Sequence, residues 1–333
     1  MSRFTQSQLT AYTKEWTPLF YTQQPLMRYL KARGRVKRSM GGEYITKQYE
    51  NNDIQLKSFG RYEQHIASES GDPVLATWRM GALYADDQLS GLEKEFNAGA
   101  EGKLDSGKVR DIRIEAVKNL QSKFGKLFRT RLWNAAGASL NGGGGVEFLG
   151  ITQAISQTPS SGTYAGVSRV TYSDWRNIQV AGTSGPSASF ASDAWERVLT
   201  ATTQAEGPIE DPMGVQSPDL LFCTKANKVI VQNKAYSQNT NLGGEVRAIQ
   251  VLNGMELNID EDVGSGLIYG LNSATWEFLT SPMRDPGTFG VKMHYKKDLP
   301  DQVHEEDEAL VMSCVGLLRC TFPKRNFVIT SAS

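Results

Sequence analysis

Three histidines, three cysteines and one glycine run are the places where this 333-residue chain offers familiar catalytic or ligand chemistry, and none of them completes a device. His65, His294 and His304 belong to no HExxH or comparable cluster, so no zinc-hydrolase geometry is implied. Cys223, Cys314 and Cys320 lie in apolar runs without CxxC spacing, which points to small core residues in a reducing compartment. NGGGGVEFLGI (141–151) is glycine-rich, but it lacks the lysine and hydroxyl residue of a phosphate-binding loop and no strand precedes it. It is expected to be a loop. Ser139, Ser161 and Ser187 are not in GxSxG, and no carboxylate pair is marked out for acid–base work. The expectation is a protein that is not an enzyme and uses no cofactor or metal. Asp260, Glu261 and Asp262, and Glu305 to Glu308, lack the ligand spacing of a calcium loop and read as solvated or subunit-pairing surface.

Two other groups of residues offer binding. Arg28, Lys31, Arg33, Arg35, Lys37 and Arg38 follow one another without an intervening acid, a pattern that neutralises phosphates or forms a solvated face. Trp175, Arg176 and Asn177 close the stretch TYSDWRN; tryptophan and arginine serve equally as interface anchors and as an ordinary turn around a core aromatic.

These groups must be carried by larger elements. Lysine plus arginine and aspartate plus glutamate both number 36, which excludes a uniformly basic packaging protein. With 39% apolar and 22% charged residues and a mean hydropathy of −0.40, the composition is that of a soluble globular chain. No run approaches a membrane span and the first residues lack the apolar stretch of a signal peptide.

Residues 1–40 read as a basic arm. From Glu43 to about Trp78, apolar residues are sparse, as in a long two-stranded excursion with little core of its own; Tyr49, Ile54, Leu56 and Phe59 are its candidates for contact with another subunit. Val109, Ile112, Ala116, Leu120, Phe124, Leu127 and Leu132 recur mostly at intervals of three or four and predict an amphipathic helix over 105–136. Its exposed face would carry Lys108, Arg110, Arg113, Lys118, Lys123, Lys126, Arg129 and Arg131. A second helix is expected over 190–205 with Trp195, Val198 and Leu199 inward, then a buried strand at 218–223 and a helix from Lys225. Strands should follow in 249–259, 266–272 and 276–279, and two final strands in 309–331 should break at Pro323 and Lys324. The fold class is α+β.

The order of these parts resembles the major capsid proteins of tailed bacteriophages with the HK97 fold. TPSSGTYAGVSRVTYSDWRN (158–177), PDLLFCTKANKVIVQ (218–232), GMELNIDEDVGSGLIYGLNSATWEFL (254–279) and GLLRCTFPKRNFVIT (316–330) are similar to segments of a subfamily of these proteins, in the same order. The resemblance implies an N-terminal arm (1–40), an E-loop hairpin with flanks (41–90), a peripheral domain with a spine helix (91–185), an axial domain (186–305), and terminal strands returning to the peripheral domain (306–333). It implies a shell subunit of hexamers and pentamers around double-stranded DNA, assembled in the host cytoplasm and found in the virion, with a separate scaffolding protein and a portal protein. In that setting the basic arm would face DNA or scaffold. Lys47 and Lys57 lie in the hairpin, but no motif marks a partner asparagine for a covalent crosslink. An encapsulin-like cargo compartment is the alternative.

Overall fold

The computed structural model describes residues 24–42, 44–49, 74–89, 112–133, 150–181, 188–206, 217–229, 251–252, 255–296 and 308–330. Two sheets organise them. The first is built around the 13-residue strand β14 (Glu308–Cys320), whose length lets it pair with three neighbours. β4 (Gly81–Leu89) runs antiparallel along one edge. The other edge is shared by β13 (Val291–Lys296) and β12 (Trp276–Thr280), and β1 (Val36–Arg38) adds to β12 in parallel.

The second sheet has the order β7 (Ile178–Ala181), β15 (Phe327–Thr330), β11 (Leu267–Leu271), β8 (Leu220–Cys223), β10 (Met255–Ile259), β9 (Val251–Leu252). All four residues of β8 are buried, as its unbroken apolar run LLFC requires. Helix α4 (Ala188–Ala205) covers β7 and β15. Its buried side is Val198, Ala201, Thr202 and Ala205, whereas Leu199, expected inward, is exposed. Among these strands Gly270 sits opposite Phe327, and a Cβ built on it would lie 2.1 Å from the Phe327 ring. Gly270→Ala is expected to destabilise the subunit by about 1–3 kcal/mol, measured by chemical denaturation, because backbone and buried ring cannot both yield.

The long helix α2 (Ile112–Trp133) joins the sheets. Its 22 residues span roughly 33 Å at 1.5 Å per residue. It packs on β4 and β14, where Phe128 meets Phe278 with ring centres 6.0 Å apart. At its far end Trp133 packs between Phe222 and Tyr269 of the second sheet, each 5.4 Å away. The flanking parts of the expected 105–136 span lie outside the described residues. Lys118, Lys123 and Lys126 are exposed as expected, but Arg131 is buried and Arg129 is engaged with Asp262. No helix among the described residues is long and apolar enough to cross a membrane.

Two expectations gain detail. The described part of the basic arm packs on its own subunit: α1 (Pro25–Ala32) buries Leu26, Met27 and Leu30 in the main core, and β1 then enters the first sheet. The boundaries expected at 186–305 and 306–333 also cut across the sheets. β12 and β13 belong with β14, while β15 completes the second sheet. Pairing between strands far apart in sequence decides this, and local pattern carries no trace of it.

Candidate functional site at the hairpin root

Among the described residues β2 (Tyr44–Tyr49) and β3 (Val74–Arg79) pair antiparallel only with each other, in register Tyr44↔Arg79 to Tyr49↔Val74. Of the four hairpin contact candidates, Tyr49 ends β2, and Ile54, Leu56 and Phe59 lie outside the described residues. A two-stranded ribbon is marginal by itself, so its root must be fixed by something else.

Trp78 does this. Its side chain is fully buried, and its Nε1–H donates to Tyr164 Oη at 3.1 Å. The same oxygen accepts the backbone N–H of Cys320, at the end of β14, at 2.9 Å. Burial pushes the Tyr164 phenol far above its usual range, so it stays a neutral hydroxyl. Trp175 lies 6.3 Å from the Trp78 ring and 6.1 Å from Tyr164, and its Nε1–H donates to the Tyr164 carbonyl at 3.0 Å. Arg169, also buried, donates to the carbonyls of Gln153 and Ala154 at 2.6 Å and stacks on Tyr164.

The motif residues therefore have assignable roles. Trp175 is 1% exposed and Asn177 is 2% exposed. Both are interior to the subunit, which favours the ordinary turn around a core aromatic, of the two readings the sequence offered. Arg176 donates to the carbonyls of Arg169 and Val170 and holds the turn. Asn177 bonds both backbone groups of Ser156: it accepts from the Ser156 N–H at 2.9 Å and donates to the Ser156 carbonyl at 2.9 Å. Asn177→Ala would leave those groups short of partners, so a loss of about 1–3 kcal/mol is expected in thermal or denaturant melts. Asn177→Asp should recover less than half, since it keeps only the acceptor.

Beside the aromatic cluster lies a charge cluster. Arg319 of β14 stacks on Trp78 at 5.7 Å and donates twice to Glu277 Oε2, at 3.0 and 2.6 Å. Glu277 Oε1 receives Lys37 at 3.0 Å and Arg35 at 3.3 Å. Burial alone would push the Glu277 carboxyl up, but the bonds and charges of Arg319 and Lys37 outweigh it and hold it at about 2. On α1 Arg28 pairs with Glu256 at 3.5 Å and Lys31 donates to the Gly287 carbonyl, and just past its end Arg33 pairs with Asp219 at 2.6 Å. Arg38 is exposed. Four of the six basic residues thus meet carboxylates of their own chain, from positions 219, 256 and 277.

In the acidic run 260–262 Glu261 is exposed, as expected of a solvated surface, but Asp260 is buried and Asp262 half-buried. Asp260 accepts Trp133 Nε1–H at 2.7 Å, and Asp262 takes Arg129 and Thr130. Burial raises the Asp260 carboxyl, opposed by the Trp133 bond. Of the other acidic run, 305–307 lie outside the described residues. Cys223, Cys314 and Cys320 are buried free thiols, as expected of core residues. His294 is partly buried, with burial and the nearby Arg284 and Lys292 charges pushing its pKa down; His65 and His304 lie outside the described residues.

Asn326 was not singled out by sequence reasoning. It is fully buried, and its Oδ1 accepts from Asn272 N–H and Trp276 Nε1–H while its Nδ2 donates to Phe322 O and Thr275 Oγ1. One side chain thereby ties the end of β11 to the start of β12, where the chain crosses between sheets. Its place between a proline turn and an apolar strand was the available signal.

No family model and no curated protein sequence matches the chain. Solved structures do. The Cyanophage A-1(L) capsid asymmetric unit aligns with a TM-score of 0.55 at 16% identity over 87% of this chain and 88% of that one. The capsid of a native GTA particle aligns with a TM-score of 0.56 at 13% identity over 92% and 91%. A subunit of the Mycobacterium phage Adephagia structure aligns at 0.52 and 11% identity over 89% and 87%. The chain has the fold of these chains, two of them from capsids, over nearly the full length of each.

Proposed function

We propose that this chain is a major capsid protein: a subunit that associates with copies of itself as hexamers and pentamers into an icosahedral shell enclosing double-stranded DNA of a tailed phage. The observation that carries the reading is the fold match over about nine-tenths of both chains to capsid subunits. The hairpin supports it. A ribbon rooted in the core by Trp78, but paired with no other strand among the described residues, finds its remaining partner surface on a neighbouring subunit. A separate scaffolding protein and a portal protein complete the assembly. The exposed sides of Arg28, Arg33, Lys37 and Arg38 lie toward scaffold or DNA, contributing weak, sequence-independent attraction.

The residues at the root position and brace; they do no covalent chemistry. Tyr164 and the three buried thiols stay protonated, and Glu277 keeps its charge among Arg35, Lys37 and Arg319. The encapsulin-like alternative differs in content rather than fold. Particles treated with nuclease and then opened should release double-stranded DNA of uniform length; release of a single enzyme species and no DNA would transfer the reading to a cargo compartment.

A further inference from the structure

We infer that β1 of one copy of this chain pairs in parallel with β4 of the next, continuing the first sheet from subunit to subunit around a ring, an inference that rests on the shell reading. Among the described residues both strands are free edges of that sheet: β1 pairs only with β12, and β4 only with β14. A free edge offers a row of backbone donors and acceptors that another strand completes. The two edges are opposite in charge. β1 carries Lys37 and Arg38 and no acid, whereas β4 carries Asp86 and Asp87 and no base. Two like edges repel each other and β1 attracts β4, so the contact runs head to tail, the kind that closes rings.

Direction, hydrogen-bond phase and side-chain facing all agree on one register. β1 is parallel to β12, and β12 and β4 are both antiparallel to β14, so β1 and β4 run the same way and a rotation about a ring axis keeps them parallel. The Arg35 carbonyl and the Ser39 N–H bond to β12, which turns the backbone groups of Val36 and Arg38 outward. On β14 the Val315 carbonyl accepts from Ser281, and just past its end the Thr321 N–H donates to Thr275, so its odd residues address the β12 side and its even residues address β4. Tyr84, Asp86 and Gln88 stand opposite odd residues, and their backbone groups therefore point to the free edge. A parallel ladder then needs Val36 and Arg38 opposite odd residues of β4. Among those registers Val36↔Ala85, Lys37↔Asp86, Arg38↔Asp87 brings both cations beside both acids. The faces match as well: strand pairing puts Lys37 and Asp86 on the face of Val311 and Arg319, and Arg38 and Asp87 on the opposite one. Arg38 and Asp86 are exposed and meet no opposite charge among the described residues. Lys37 shares Glu277 with Arg35 and Arg319, and Asp87 lies 3.9 Å from an exposed Lys123, so both have charge left for a neighbour. Scaffold or DNA is thus attracted by all the exposed cations before the contact forms, and by Arg28 and Arg33 after it.

The test uses the full chain under conditions where the wild type forms shells. Arg38→Cys together with Asp87→Cys puts two thiols on adjacent strands with Cα atoms about 4.8 Å apart, within disulfide range, while the native cysteines are buried. Shells of this variant, oxidised with diamide and run on a non-reducing gel, should give a ladder of linked subunits. Each single variant should stay at the monomer position, and Arg38→Cys with Tyr84→Cys, about 10 Å out of register, should link about a tenth as much or less. Shells without the 38–87 link, or single variants that link to themselves, overturn the inference and leave the shell reading standing. A wild type that gives no shells removes both. Where the cysteines hinder assembly, charge exchange decides by sedimentation and electron microscopy. Asp86→Lys and Lys37→Glu should each lower the assembled fraction about tenfold or more, and the two together should return it to within about twofold of wild type. Folding costs of the two changes persist in the double variant, so only a repaired contact between copies restores assembly. Singles that assemble like wild type, or a double as poor as the singles, also overturn the inference.

Discussion

Replacing Trp78 with alanine is expected to destabilise the subunit by about 3–5 kcal/mol, at the high end of large-to-small core changes. The side chain is fully buried, and its removal empties the space between Tyr164, Trp175 and Arg319 while taking a hydrogen bond from the Tyr164 hydroxyl. The expected consequence goes beyond stability. Because Trp78 is the main side-chain anchor of β3, beside the Thr77 N–H bond to the Ala165 carbonyl, amides of 44–49 and 74–79 should lose protection from hydrogen exchange before those of β8 or β11 do. Trp78→Phe keeps most of the volume but not the donor and should cost less than half as much. Denaturant titration with hydrogen exchange checks both parts; a uniform loss of protection across both sheets would show that Trp78 supports the whole core rather than the root.

Glu277 gives the second large effect. Glu277→Ala leaves Arg319, Arg35 and Lys37 facing one another without their shared carboxylate, and a loss of about 3 kcal/mol is expected, between the values for buried and exposed pairs. The pH dependence follows from the same group. Its folded pKa of about 2 lies below the ordinary glutamate value of 4.5, so the stabilisation is fully present above pH 4.5 and is lost as the pH falls toward 2. After allowing for the exposure of Lys37, its size is on the order of 2 kcal/mol. Wild type minus Glu277→Gln stability, followed from pH 6 to pH 2.5, should shrink steadily; a constant difference would mean the carboxylate charge contributes nothing. Trp78 and Glu277 both contact Arg319, so the double variant should cost less than the sum of the singles.

What was legible in the sequence was what local period reveals. Leu120, Phe124 and Leu132 announced α2, the run LLFC announced a buried strand, and Pro323 marked the break between β14 and β15. The strands of the hairpin root were also legible, since sparse apolar residues cannot make a core. What failed depended on partners far along the chain. The basic stretch looked like a free arm because its acids, Asp219, Glu256 and Glu277, arrive from about 190 to 240 positions away through strand pairing. Trp175 and Asn177 had the composition of an interface anchor and of a core turn alike; only their bonds to Tyr164 and Ser156 decide for the turn. Leu199 was placed inward on helical period, but the small residues Ala201 and Ala205 let α4 sit close on its other side.

The most direct measurement is a cryo-electron microscopy reconstruction of the full chain purified with the proteins expressed alongside it. The account predicts closed icosahedral particles whose capsomers are hexamers and pentamers of this fold, with the β2–β3 hairpin of each subunit lying on a neighbour. A chain that remains monomeric at high concentration with its companions present, or whose hairpin folds back on its own subunit in every copy, would contradict it.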